Sequence, residues 1–168
     1  IRDRYSPERI NPGDKKHKLE NIKKIVSSSS ANGRKKIKYL YQKIIKAGLY
    51  EVNSIKAAEL SKLLENSQRF VNIALMNQIS TLCNKINVNT KDVIDAAASK
   101  WNFMKFYPGL VGGHCVAVDP FYLSFIQKKL GLSSTLIDVS GKINASKINE
   151  ITKVIMRNSN TQKQKVLI

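Results

Sequence analysis

The clearest pattern along the chain is the stretch from about Ser54 to Ile86, which contains neither proline nor glycine. Its apolar positions include Ala58, Leu63, Leu64, Phe70, Ile73, Ala74, Leu75, Ile79 and Leu82. They recur at helical spacing but spread over more than one face. Ser54 is a plausible N-cap, because its hydroxyl can accept from the first free backbone N–H groups. A long helix that is apolar on several sides is buried among neighbours or paired with a copy of itself. The pattern therefore predicts a mainly α fold built around one long helix over 54–86.

The flanking segments are shorter. Residues 1–33 are polar and turn-rich, and Ser6 to Asp14, with two prolines and a glycine, reads as a defined loop,. Residues 22–26 read as a short strand and 27–33 as a small-residue connector. A helix is expected over 34–47, with Ile37, Leu40, Tyr41, Ile44 and Ile45 on one face and Gly48 as its stop,. Residues 49–53 look extended. Asn89-Thr90 can cap a helix through Val93, Ile94, Ala96 and Ala97 to Ala98. Residues 101–120 read as a loop, 121–130 as a helix stopped by Gly131, and 144–157 as a last helix. A polar linker, 158–164, leads to what reads as the opening of a buried strand. Residue 1 is Ile and the chain stops inside that strand pattern, so a fragment of a longer protein is expected.

Composition narrows the function classes. The chain has 168 residues, 42% of them hydrophobic, enough for one domain or parts of two,. Its net charge of +17 would suggest a nucleic-acid or anionic partner,. That charge is mostly lysine, spread through helical segments and accompanied by abundant asparagine and isoleucine, which fits coding bias better than a binding face. No nucleic-acid partner is expected. A basic binding protein and a non-catalytic remnant remain the alternatives. The two cysteines, Cys83 and Cys115, have no spacing that suggests a disulfide framework or a zinc site, which fits a reducing cytoplasm,. No metal is expected. No apolar run reaches the ~18–20 residues of a membrane span. No Gly-x-Gly-x-x-Gly phosphate loop occurs.

Candidate chemistry sits in Gly112-Gly113-His114-Cys115, followed by Asp119 and Pro120. Two glycines leave a substrate room to approach the backbone. His114 is adjacent to the thiol, and Asp119 lies four residues on. Cys115 then reads either as a nucleophile or as a small buried hydrophobe in a turn. Lys62 and Asn66 are four apart on the long helix and share a face, which Arg69 roughly continues,. An ammonium beside a carboxamide can stabilise an oxyanion; the alternative is a solvated helix face.

Taken together these segments carry a resemblance. In order they are Ser6-Pro-Glu-Arg-Ile-Asn-Pro-Gly-Asp14, Ser54 to Lys62, Glu65 to Arg69, Asn72 to Leu75, Lys100 to Phe103, Pro108 to Cys115 and Val118 to Leu123. The chain resembles the UDP-sugar 6-dehydrogenase family over nearly its whole length. It is most similar to the branch acting on UDP-N-acetylglucosamine or UDP-N-acetylgalactosamine in surface-polysaccharide synthesis. The resemblance implies a piece of a larger α/β Rossmann-type enzyme. Residues 1–53 would end the NAD-binding domain, 54–157 would form the helical substrate and dimerisation domain, and 158–168 would begin a UDP-binding domain. It implies a homodimer through the long helix and NAD as cofactor, with the main NAD loop outside this chain.

The resemblance also implies site roles. Cys115 would attack the C6 aldehyde and carry the thiohemiacetal and thioester. Lys62 and Asn66 would stabilise the oxyanion, Asp119 would organise water and proton transfers, and Glu8 would assist thioester hydrolysis. Tyr107, Gly112, Gly113 and His114 would hold the sugar and diphosphate, and Arg69 and Lys142 would also bind the substrate. Cys115, Lys62, Asn66 and Asp119 are expected to converge on one pocket. Three places depart from the family pattern. Arg4 stands where Gly is usual, and Ala117 where Gly or Pro is. Ser140-Gly-Lys-Ile-Asn-Ala145 is one basic residue short and ends in Ala for Asp. Lys142 there cannot make the two-pronged contact of an arginine. The fragment by itself is expected to be inactive.

Overall fold

A computed structural model describes residues 3–11 and 13–157. The chain divides into two compact units, with the boundary between Glu65 and Asn66.

The first unit contains a three-stranded sheet in the order β1 (Arg4–Tyr5), β2 (Lys24–Ser28), β3 (Leu49–Val52). β1 runs antiparallel to β2, with Arg4 opposite Ser28. β2 and β3 are parallel, with Ile25 opposite Tyr50, and helix α1 (Ala31–Gln42) connects them. A parallel pair needs such a crossover, and α1 packs on the sheet it bridges,. All five residues of β2 are buried. The strand lies two residues later than expected because buried Ser27 and Ser28 are satisfied in place. Their hydroxyls donate to the carbonyls of Tyr5 at 3.1 Å and Asp3 at 2.6 Å. Ser30 then caps α1, its hydroxyl accepting from the Gly33 N–H at 3.0 Å. The helix consequently starts at Ala31 rather than 34, and the connector expected over 27–33 is part strand, part helix. Gly33 is needed there, since a Cβ would fall on the Ser28 hydroxyl.

The expected end of α1 at 47 is also corrected. The helix stops at Gln42, and the N–H groups of Lys46 and Ala47 turn to the Glu20 carbonyl at 2.8 and 3.0 Å. Gly48, with φ +83°, opens β3 instead of closing the helix. Ser6 anchors the loop after β1 by donating to the Ile25 carbonyl at 2.5 Å. Arg9 fastens it further, to the Lys23 carbonyl at 3.0 Å and the Glu65 carboxylate at 2.9 Å.

The long helix, α2, runs Ile55–Lys85 and crosses the boundary between the units. Ser54 caps it as expected, its hydroxyl accepting from the Ala57 N–H at 3.0 Å. In the second unit α3 (Thr90–Ala98), capped by Asn89, follows. A long irregular segment leads to α4 (Asp119–Lys129) and α5 (Thr135–Arg157). Phe70, Ala74, Met76, Cys83, Ile94 and Ile137 form the core of this unit. Cys83 is thus a core hydrophobe.

Two helix starts differ from expectation. α4 begins at Asp119, not 121, with Pro120 in its first turn, where a missing N–H removes no helical bond,. α5 begins at Thr135, nine residues before 144. Gly141 is inside it because the Phe121 ring packs there, 3.2 Å from where a Cβ would sit. The terminal strand expected after 164 lies outside the described residues. No helix among the described residues is long and apolar enough to cross a membrane.

Asp138 staples the turn between α4 and α5. It accepts from Lys128 at 2.8 Å, Ser134 at 2.8 Å and Ser124 at 2.9 Å. The Lys128 bond, then those from Ser134 and Ser124, hold its carboxyl below the ordinary 3.8, at about 2. A carboxyl lowered by folding adds stability that is fully present above its unfolded value and lost as pH falls through its folded one. Asp138→Asn should therefore lower the urea midpoint at neutral pH, with the gap to the parent closing as pH falls from about 4 towards about 2. A gap independent of pH would show that the charge contributes nothing.

Candidate active site

The segment from Phe103 to Gly112 has no regular secondary structure, yet its Gly109 is held at both backbone atoms. The Asn77 side chain on α2 accepts from the Gly109 N–H at 2.8 Å and donates to its carbonyl at 3.0 Å. The same amide donates to the side-chain oxygen of Asn144 on α5 at 3.0 Å. Asn144 in turn donates to the Phe70 carbonyl at 3.2 Å. Asn77 is only 1% exposed, so this is a buried polar network with its partners supplied,. Sequence reasoning missed Asn77. The available signal was an asparagine three residues after Ala74 and seven after Phe70, on the apolar stripe of α2,.

Beyond Gly109 the chain turns through Gly113, whose φ of +82° suits glycine, into Cys115,. A Cβ at Gly112 or Gly113 would meet nothing within 4 Å, so both face open space. Cys115 is an exposed free thiol. Its carbonyl accepts from Val118 N–H at 3.1 Å and Asp119 N–H at 2.8 Å, the turn that starts α4. The Asp119 carboxylate accepts from the Asn66 side-chain amide at 2.5 Å. Asn66 is buried on α2. Residues 53 positions apart are thereby joined one turn of backbone from Cys115. Phe70 fixes the same helix, its ring meeting Phe121 edge-on at 5.7 Å between centroids.

The other expected residues are placed as follows. Lys62 is half-buried on α2, in the first unit. Glu8 also belongs to the first unit. Partial burial pushes its carboxyl up, but the Ile10 and Arg9 N–H groups and the Lys24 ammonium outweigh this and hold it below the ordinary value. Those N–H groups bond it at 2.9 and 2.7 Å. His114, Arg69 and Lys142 are exposed, the last two on α2 and α5. Tyr107 is exposed beneath the Lys105 ammonium, 5.4 Å from its ring. Lys105 is itself held by Asp95 on α3 at 2.5 Å. Within the second unit the structure joins Asn66, Asp119 and the Cys115 backbone. Among the described residues no group of three or more His, Cys, Asp or Glu could hold a metal ion.

Comparison with known proteins bears on the same residues. Residues 56–146 match the central domain of the UDP-glucose/GDP-mannose dehydrogenase family. The UDP-N-acetyl-D-glucosamine 6-dehydrogenase of Salmonella typhi is 48% identical over 153 residues, covering 91% of this chain and 36% of that protein. Its Pseudomonas aeruginosa namesake is 43% identical, covering 91% and 37%. The solved UDP-D-ManNAc dehydrogenase of Pyrococcus horikoshii superposes with a TM-score of 0.82 at 28% identity, over 92% of this chain and 36% of that one. The chain thus spans little more than a third of the length of these relatives. With the match running from the first turn of α2 through the cysteine turn into α5, the chain belongs to the UDP-glucose/GDP-mannose dehydrogenase family.

Proposed function

We propose that this chain is the substrate-handling part of an NAD-dependent UDP-sugar 6-dehydrogenase, acting in the cytoplasm on a UDP-N-acetylhexosamine for surface-polysaccharide synthesis. In this reading residues 1–53 end a dinucleotide-binding domain, 54–157 form the central domain and 158–168 begin a nucleotide-binding domain. The observation that carries it is the Asn66 amide on the Asp119 carboxylate, one turn from Cys115.

The chemistry follows from the residues. The Cys115 thiolate adds to the C6 aldehyde carbon, and the carbonyl pair moves onto oxygen. Lys62 and Asn66 donate to that developing oxyanion, which becomes the hydroxyl of a thiohemiacetal. Covalent capture prevents escape of the aldehyde. After oxidation to the thioester, water adds at the same carbon, the C–S bond breaks, and the thiolate leaves the uronate behind. Asp119 and Glu8 take up the protons, Glu8 being held ionised by its backbone donors,. Tyr107, Arg69, Lys142 and the backbone of Gly112 to His114 bind the sugar and diphosphate.

NAD accepts the two hydrides in a whole enzyme of this kind. The residues here do not fit its pyrophosphate: the turn from β2 into α1 is Ser28-Ser29-Ser30, with no glycine-rich cradle,. A homodimer along α2 suits the exposed Leu64, Leu75 and Leu82,.

The test is a chimera in which this chain replaces the matching third of the Salmonella typhi relative. It should form NADH with a UDP-N-acetylhexosamine, whereas the 168-residue chain alone should form none. A correctly folded chimera that binds NAD but leaves the sugar unoxidised would overturn the reading.

A further inference from the structure

The loop that presents Cys115 is tied to α2 at two places, by Asn77 at Gly109 and by Asn66 at Asp119. Asn66 and Asn77 are eleven residues apart on one helix. Eleven residues make about three turns, so the two side chains leave the same face, separated by ~16 Å along the axis. The chain from Gly109 to Asp119, if extended, would span roughly 33–36 Å. Its anchors are about half that far apart. The intervening segment is therefore folded rather than extended: Gly113, with φ +82°, turns it two residues before Cys115, and Cys115 to Asp119 close a further turn.

We propose that Asn77 is the positioning residue of the Cys115 loop, fixing with Asn66 the span within which the loop folds and presents the thiol. This deepens the reading of Cys115 as nucleophile and rests on it. Asn77 is suited to the role because its amide is fully committed. Its oxygen accepts from Gly109, and its two N–H groups go to the Gly109 carbonyl and to Asn144. The Asn144 bond fixes the amide orientation from α5. Neither apolar residues nor aspartate reproduce this: the first leave both Gly109 groups unpaired, and the second cannot donate to the Gly109 carbonyl.

The test has two readouts. On the 168-residue chain, amide hydrogen exchange is followed by NMR. The Gly109 N–H should be protected to an extent comparable with the α2 core, although it lies in an irregular segment. Exchange at the free-peptide rate in the unsubstituted chain overturns the proposal without any variant. Asn77→Ser and Asn77→Asp should abolish that protection and speed exchange from Gly109 to Cys115. The buried Cys83 should stay resistant to alkylation, showing that the fold persists. In the chimera the same variants should lower kcat on the order of 10²-fold with little change in KM, since an ångström of misplacement costs about that much. Lost protection with unchanged kcat would overturn the positioning role. Protection that survives Asn77→Ser would show that the clamp lies elsewhere. A parent chimera that binds NAD and UDP-sugar but performs no oxidation would sink the enzymatic reading, while the exchange data decide the clamp separately.

Discussion

Cys115→Ser in the chimera should stop uronate formation, slowing it on the order of 10³-fold or more, while leaving the first hydride transfer comparatively intact. The asymmetry follows from the division of labour. The first oxidation removes hydride from the alcohol carbon and needs no covalent bond to the protein. The second needs a hydride-bearing tetrahedral carbon, which the thiolate supplies by adding to the aldehyde. A serine hydroxyl at neutral pH is a far weaker nucleophile than a thiolate. The site has the access this requires, because Cys115 is exposed beside two glycines that face open space. Single-turnover NADH formation with product analysis should show about one equivalent of NADH and released aldehyde. Uronate made at the normal rate by the serine variant would remove the thiol from the mechanism.

Asn66→Ala should cost roughly 10²–10³ in kcat, the scale of losing one preorganised oxyanion donor. Its amide has two N–H groups, and one is committed to the Asp119 carboxylate at 2.5 Å. That leaves one to aim at substrate oxygen. Truncation removes this donor and also releases Asp119 from its buried partner. Asn66→Asp should be at least as damaging, because it sets a second carboxylate against the first and leaves nothing to donate. Lys62→Ala should fall in the same range, by loss of a charged donor. Cys83 alkylation provides the control for folding in each case. A kcat within about threefold of the parent for Asn66→Ala would leave Asn66 a structural partner of Asp119 only.

The elements legible in the sequence were those whose ends are written locally. α2 was expected over 54–86 and occupies Ile55–Lys85, because Ser54 caps it and no breaker interrupts it. α3 begins at Thr90 behind its Asn89 cap for the same reason. The mistaken boundaries share a different cause. Ser27 and Ser28 look like loop residues until Tyr5 of β1 and the preceding Asp3 supply carbonyls for their hydroxyls. Gly141 looks like a helix breaker until Phe121 occupies the space a side chain would need. The end of α1 is set by a carbonyl at Glu20, which lies outside the helix.

The same division runs through the site. Sequence by itself determined the mainly α class, the long helix, the family and the identity of the candidate residues, because spacing, caps and glycine-rich turns are local properties of the chain. Only the tertiary structure decided which of those residues meet. The Asn66 amide finds Asp119, and Asn77 reaches across to Gly109 with Asn144 behind it. Its place on the apolar stripe of α2 hints at burial, but nothing local says what Asn77 meets. An asparagine on a helix reads as polar surface until a buried loop backbone needs both a donor and an acceptor, and that need arises only when α2, α5 and the loop are packed together.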